Sequence, residues 1–454
     1  MIQDWKGKRV TVMGLGRFGG GMGAVRWLAL NGARVLVTDK APPEKLRESL
    51  DAIADLDVEL RLGKHDERDF RDTDLVVVSP AVPDTSPLLQ AAGDAGVEIT
   101  TEISLFVERC RARCVGVTGS VGKSTTTAMI GHVLEGTLGG GRVWVGGNLG
   151  RSLLENLEEI VAEDIVVLEL SSFQLARTPA IRWSPHVAVI TNISPNHLDW
   201  HGTFSAYLAA KLQIVRFQNR SRDAIVIGDG EELRRHLDAF LGDVSGIWRY
   251  RLDQGIPLAQ CDDRRVSWEN LRLNVPGQHN RENAAGALTV AHVLGVDPDA
   301  AAATLASFEG LSHRLQRVAD VAGISYFNDS KSTTPEAAIT AMDAIESPLL
   351  IILGGYDKGV DLTPAAVHAA SHARFAACIG QTGPGLVDAI RFAGGEAELC
   401  ETLAAAVAAC RQRAQPGDAI LLSPGCASWD MYPDYRVRGD EFARLAGAGV
   451  EPLS

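Results

Sequence analysis

The chain has 454 residues, 46% of them hydrophobic, and a formal net charge of −13. That length exceeds one ordinary domain and leaves room for two or three, each with a core of its own. The acidic balance disfavours a general nucleic-acid surface and leaves local basic clefts for anionic substrates open. No apolar run is long enough to span a bilayer, and the opening "MIQDWKGKRVTV" has no apolar signal core, so a cytoplasmic location is expected. The seven cysteines are scattered, and Cys110 and Cys114 have no second pair or histidine to complete a zinc site. Reduced structural thiols are the expectation.

Strands and helices alternate along the chain. "RVTVMGLG" (9–16) is a β-rich run ending in glycines, "MGAVRWLALNGA" a helix, "RVLVTD" (34–39) a second strand and "DLVVVSPAVP" (74–83) an apolar strand stopped by Ser-Pro. Near residue 111 a new unit starts: "RCVGVTG" is a strand, "GKSTTTAMIGHVLEG" its helix, and "DIVVLEL" (164–170) and "HVAVITN" (186–192) are further buried strands. "GTFSAYLAAKLQIVRF" (202–217) reads as a helix with Leu208, Leu212 and Val215 on one face. The polar stretch 229–275 is left open, and "NRENAAGALTVAHVLG" (280–295) is a helix ending at glycine. Beyond 310, "ISYFND", "PLLIILGG", "FAACIG" and "DAILLSP" are strands separated by Ala-rich helices, so this part too is α/β.

Two glycine loops carry chemistry. In "GVTGSVGKSTTT" the first Walker glycine is replaced by Val117, leaving Thr118-Gly119-x-x-Gly122-Lys123-Ser124 between a strand and a helix. Backbone amides at such a helix N-terminus face phosphate oxygens, a lysine adds charge, and a serine reaches a metal. The earlier loop "GLGRFGGG" places Gly14, Gly16 and Gly19 at dinucleotide spacing, with Asp39 following by 20 residues. On its own it serves NAD, another nucleotide or a plain tight turn. Glu169 closes a strand and suits Mg²⁺, while "TNISPNHLDWHG" brings His197, Asp199 and His201 to another strand end, where α/β sheets collect ligand groups. Taken singly, each also reads as a turn or capping residue. Lys211 reads as a solvated helix lysine, and spacing alone does not place it in a site.

"TGSVGKSTTT", "LELSSFQL", "NHLDWHGTFSAYLAAK", "GQHNRENAAGAL", "HRLQRV", "NDSKSTTPEA", "GGYDKGVDL" and "LLSPGCASWDMY" occur in an order that resembles the Mur ligases, over essentially the whole chain. The phosphate loop is common to that group and to folylpolyglutamate synthases, whereas "LELSSFQL" and "SPGCASWD" resemble the D-glutamate-adding member. The resemblance implies an α/β protein of three domains: a Rossmann-like UDP-sugar domain (1–110), a central P-loop ATPase domain with a mostly parallel sheet (111–309) and a C-terminal Rossmann-like domain (310–454). It further implies a monomeric ligase that uses ATP and two Mg²⁺ ions. ATP would phosphorylate the carboxylate of UDP-N-acetylmuramoyl-L-alanine, and the amine of D-glutamate would displace phosphate from the acyl phosphate.

The residue roles implied by that resemblance run through all three domains. Gly119, Gly122, Lys123, Ser124 and Thr125 would hold the ATP phosphates, Ser124 and Glu169 one Mg²⁺, and His197 with a carbamylated Lys211 the second. Asn280 and Asn283 would face ATP, Arg314 its phosphates and Asp329 its ribose. Gly14, Gly16, Thr38, Ser79 and Asn148 would contact the UDP-sugar. Lys331 would enter the closed site, and Lys358, Ser428 and Tyr435 would meet D-glutamate.

Four rival readings stand against this. A diaminopimelate- or lysine-adding sibling would be expected to carry an Asp-Asn-Pro-Arg motif, and "GGYDKGVD" stands in that region instead. An L-glutamate-adding sibling differs only in the orientation of a few contacts. A dehydrogenase built on the first loop leaves the second unexplained, and a non-catalytic nucleotide binder has no need of Lys123, Glu169 and His197 together.

Overall fold

The structure, a computed structural model, describes residues 4–16, 20–149, 152–241 and 245–447. Among these, three sheets succeed one another along the chain. The first holds β1 (Arg9–Met13), β2 (Arg34–Asp39), β3 (Glu59–Leu62), β4 (Leu75–Val78) and β5 (Glu98–Thr100), all parallel in the order β3-β2-β1-β4-β5. The second holds β6 (Arg113–Thr118), β7 (Val143–Gly147), β8 (Ile165–Glu169), β9 (Val187–Ile190), β10 (Ala224–Gly228), β11 (Ile247–Asp253), β12 (Ile256–Cys261) and β13 (Arg264–Ser267). Its order is β13-β12-β11-β10-β9-β6-β8-β7, antiparallel only at β11–β12 and β12–β13. The third holds β14 (Gln316–Val321), β15 (Ile324–Asn328), β16 (Leu349–Gly354), β17 (Ala373–Ile379), β18 (Ala397–Leu399) and β19 (Ala419–Leu422). Its order is β14-β15-β19-β16-β17-β18, with β14 alone antiparallel.

These architectures follow from the apolar runs. Every residue of β4, β8 and β16 is buried, as parallel strands covered by helices on both faces require. The three α/β sheets bear out the expected fold class. The stretch left open by the sequence becomes the helix Glu231–Leu241 and the β11–β13 meander, whose short, partly polar strands carry little of the apolar signal. All seven cysteines are free; the Cys110 and Cys114 sulfurs lie 3.9 Å apart. No helix among the described residues is long and apolar enough to cross a membrane.

The chain forms two compact units, 1–271 with 282–305 and 272–281 with 306–454, so the boundary falls inside the helix Gln278–Val293. In the first unit one apolar core runs from Val12 and Leu28 through Phe106 and Leu154 to Leu168 and Leu212, and a separate cluster forms around Phe70, Val76 and Leu89. In the second, the two faces of the sheet carry separate cores, one around Ile351 and Leu421 and the other around Ile352 and Phe442.

Within the first unit, a Cβ at Gly23 would collide with Ser152, so glycine admits the close approach of that segment to the helix Gly20–Leu30. Ser152 Oγ donates to the buried Glu102 carboxyl at 2.5 Å, and burial pushes that carboxyl up to about 7. The folded state therefore holds the proton more tightly than the unfolded one, and stability falls as pH rises from the ordinary carboxylate range through about 7. Glu102→Gln keeps an acceptor for Ser152 and removes the cost of ionisation. At pH 8 it is expected to be more stable than wild type by up to about 3 kcal/mol. Thermal melts at pH 8 and below pH 5 check this; the difference should vanish at the lower pH.

Candidate active site

All strands from β7 to β10 run parallel to β6, so their carboxyl ends open on one edge. Val117 is paired with Glu169 on one side and Val189 on the other, and is fully buried. The position of the missing Walker glycine is thus a sheet residue, and the loop proper begins at Gly119. Gly122 ends it at φ 84° as the N-cap of the helix Lys123–Thr137, and a Cβ there would strike Asn283 Oδ1. The turn therefore presents backbone amides and the positive helix end to one spot.

Residues that the sequence pattern does not single out hold the loop's shape. Val121 N donates to Asn192 Oδ1 at 2.9 Å and Asn192 Nδ2 to Val121 O at 3.0 Å, while Thr191 Oγ1 donates to Val121 O at 2.7 Å. Ser120 Oγ meets Tyr207 Oη and donates to Ser194 O, both at 2.8 Å. Lys123 Nζ donates to Ser120 O at 3.0 Å, Ser124 is buried at the first turn and Thr125 half-buried beside it. Thr126 Oγ1 donates to Asn283 Oδ1 at 3.2 Å, tying the phosphate-loop helix to the helix Gln278–Val293. Asn280, one turn earlier on that helix, donates to Pro276 O at 2.6 Å.

Glu169 ends β8 with 2% exposure. Asn148, after β7, donates to its Oε1 at 2.7 Å, whereas the buried Oε2 has no hydrogen-bond partner among the described residues. A buried carboxylate oxygen without a donor is costly unless a cation meets it, so the site fits Mg²⁺. "LELSSFQL" also shapes the neighbouring loop. A capping box between Ser171 and Gln174 starts the helix Ser172–Leu175, and Phe173 lies 4.9 Å from the His197 ring and stacks on His201. His201 Nε2 meets Ser172 Oγ at 2.9 Å. His197 adopts φ 51°; partial desolvation and the Lys123 and Lys211 charges lower its pKa against the pull of Asp199. A neutral imidazole keeps a lone pair for a metal.

The structure overturns the reading of Lys211 as a solvated lysine: it is 2% exposed, on the helix Phe204–Arg216 beneath the loop. Its Nζ donates to Gly119 O at 2.6 Å and Thr118 Oγ1 at 3.3 Å, and sits 4.8 Å over the Tyr207 ring. Desolvation, with Lys123 adding to it against the attraction of Glu169, drops its pKa to about 7.

The order of the first sheet reverses between β1 and β4, the crevice where such sheets take ligands. Gly14 and Ser79 abut there: Ser79 N donates to Met13 O at 2.9 Å, and a Cβ on Gly14 would lie 3.0 Å from the Ser79 side chain. Asp39 acts locally, accepting from Leu15 N at 3.0 Å and Gly16 N at 3.5 Å; Gly19 lies outside the described residues. Thr38 is fully buried, with Oγ1 2.7 Å from His65 Nδ1, and gives its carbonyl to Gly14 N. Trp200 Nε1 donates to Ala81 O at 2.9 Å and Arg177 to Val82 O at 2.8 Å. The loop after β4 is therefore joined to the segment that carries His197.

In the second unit, β15, β19 and β16 are neighbours, and their carboxyl ends gather the remaining residues. Asp329 accepts from Ser332 and Ser423 hydroxyls and Leu315 N, and burial raises it to about 6 although Arg314 opposes the shift. Lys331 Nζ lies 5.6 Å over the Tyr435 ring, and Lys358 Nζ 4.9 Å over Trp429. Ser428 is buried, its Oγ without a partner among the described residues. Arg438, 1% exposed and unmarked by any sequence signal, clasps these loops by donating to Ser330 Oγ and O and to Cys426 O.

Family models match three successive segments: the MurD-like N-terminal domain of Mur ligases at 8–101, the Mur ligase middle domain at 117–291 and the glutamate ligase domain at 313–426. The chain is 36% identical to the UDP-N-acetylmuramoylalanine–D-glutamate ligase of Symbiobacterium thermophilum, covering 98% of both chains. With the ligase of the same name from a Roseiflexus species it shares 39% identity over 97% of this chain and 98% of that one. Among solved structures, the MurC UDP-N-acetylmuramate–alanine ligase of Thermotoga maritima has the same fold at a TM-score of 0.57 and 22% identity, over 96% of this chain and 98% of that one. From the phosphate loop to the last strand-end cluster, the chain belongs to the Mur ligase family.

Proposed function

We propose that this ligase joins D-glutamate to UDP-N-acetylmuramoyl-L-alanine at the expense of ATP, in the cytoplasm, as a step of peptidoglycan precursor synthesis. The observation that carries the reading is a phosphate loop sharing one sheet edge with a buried Glu169 oxygen that has no hydrogen-bond partner among the described residues, in a chain similar end to end to ligases of that name.

The acceptor carboxylate takes the γ-phosphoryl of ATP with loss of ADP; the amine then attacks the acyl carbon, and phosphate leaves as the amide forms. Amides of Gly119 and Gly122, the charge of Lys123 and the hydroxyls of Ser124 and Thr125 hold the triphosphate. Ser124 and Glu169 would hold one Mg²⁺, His197 and a Lys211 carbamate a second; bound there, the ions supply charge neutralisation between two anionic reactants. The near-neutral amine of Lys211 is the form that adds carbon dioxide. Asn280 and Asn283 contact ATP, Asn283 toward the adenine, and Arg314 and Asp329 serve its phosphates and ribose. Gly14, Gly16, Thr38, Ser79 and Asn148 serve the UDP-sugar, Lys331 enters the closed site, and Lys358, Ser428 and Tyr435 serve the incoming glutamate. The protein is read as three domains, 1–110, 111–309 and 310–454, acting as a monomer.

Phosphate release from ATP, measured with UDP-N-acetylmuramoyl-L-alanine and each of D-glutamate, L-glutamate, L-lysine and diaminopimelate, tests this. Release that requires the acceptor and D-glutamate is expected. Release with L-glutamate instead would transfer the reading to the sibling ligase, and acceptor-independent release would end it.

A further inference from the structure

The helices Pro335–Asp343 and Thr363–His372 pack against each other in the second unit. Each precedes a strand, β16 and β17, so the ends Asp343 and His372 lie at the amino edge of the sheet. That is the edge opposite the loops bearing Asp329, Lys358 and Ser428. Three side chains meet there. His368 and His372, four residues apart, share one helix face, with rings stacked at 3.7 Å and 13°. His368 Nε2 lies 2.7 Å from Asp343 Oδ1, and His372 Nε2 3.8 Å from the same oxygen. One ligating atom from each of the three residues falls within 4.8 Å of the others.

We propose that Asp343, His368 and His372 form a binding site for a divalent transition-metal ion of the zinc, nickel or copper class. Ligands at about 2.0–2.2 Å around a tetrahedral ion stand roughly 3.4 Å apart, a spacing bracketed by the two imidazole–carboxylate distances. The donor set, two imidazoles and one carboxylate, suits zinc, nickel and copper and is foreign to Mg²⁺, which prefers oxygen. The ring of His372 is held from behind. Its Nδ1 lies 3.0 Å from His368 O and 2.9 Å from Ser371 Oγ, and a proton donated to the carbonyl leaves the Nε2 lone pair facing Asp343. The helix C-terminus adds a negative dipole end beneath the cation. Side-chain exposures of 21%, 46% and 54% for His368, His372 and Asp343 leave an entry path and room for water at a fourth position. An ion held there would bridge two helices, and, binding only the folded state, would raise the melting temperature.

Calorimetric titration of the full chain with ZnCl₂, under saturating Mg²⁺ and ATP, tests the site against the His368→Ala/His372→Ala double variant. Wild type is expected to bind one more equivalent than the double variant, and Asp343→Asn to weaken that equivalent by at least about 100-fold. The zinc-dependent rise in melting temperature should disappear in the double variant while its melting without zinc stays near wild type. Cu²⁺ bound to wild type should show two nitrogen couplings by electron paramagnetic resonance. Equal stoichiometry and affinity in wild type and double variant would overturn the site, as would a copper spectrum unchanged by the double substitution.

Discussion

Glu169→Gln is expected to lower kcat for acceptor-dependent phosphate release by about 10³-fold while leaving the melting temperature near that of wild type. Asn148 donates to Oε1 at 2.7 Å, and a glutamine carbonyl preserves that bond and the side-chain volume. The other oxygen is the one that matters. It is buried without a hydrogen-bond partner among the described residues, and in the variant an NH₂ group would turn its protons toward the position of the cation. Removing one preorganised charge from a dry site costs about 3–4 kcal/mol of transition-state stabilisation. Phosphate-release rates across a Mg²⁺ titration, alongside a thermal melt, check both halves. Activity within tenfold of wild type would remove Glu169 from the metal-binding role.

Lys211→Ala is expected to be nearly inactive, down by about 10²–10³-fold, and to regain part of its rate with short-chain carboxylic acids. The reasoning starts from burial: a lysine with 2% exposure, pushed to a pKa of about 7, is substantially neutral at pH 7–8. Only the neutral amine adds carbon dioxide, and the resulting carbamate replaces a cation by an anion next to His197 and Lys123. A soluble carboxylate can restore that anion in the space an alanine leaves. The sign for pH follows. With carbon dioxide limiting, wild-type activity should climb as pH rises through 7 and respond to added bicarbonate, while the alanine variant should not respond. An alanine variant of wild-type activity would confine Lys211 to packing.

Much of the site was legible because each piece is local. An apolar run that stops at glycine or a polar residue marks a strand and its loop, and Gly119, Glu169 and His197 all stand at such stops. Lys211 shows the boundary of that reasoning. It lies beside the stripe of Leu208, Leu212 and Val215, but a lysine at a stripe's edge reads as solvated, and its burial is decided by the loop that covers it in the fold. The bracing by Asn192, Ser120 and Tyr207 was hidden because those residues lie far apart along the chain. Asp39 is spaced like a ribose-binding acid, but the fold turns its carboxylate onto the amides of its own glycine loop.

The order of strands and helices, the two glycine loops and the resemblance to Mur ligases are properties of the sequence by itself, because periodicity and turn chemistry act between residues a few positions apart. Only tertiary packing decided which carboxylate oxygen is left without a donor among the described residues, that the pKa of the lysine under the loop falls to about 7, and that Asp343 meets two histidines from another helix. Desolvation and donor geometry depend on segments that meet only once the sheets are covered.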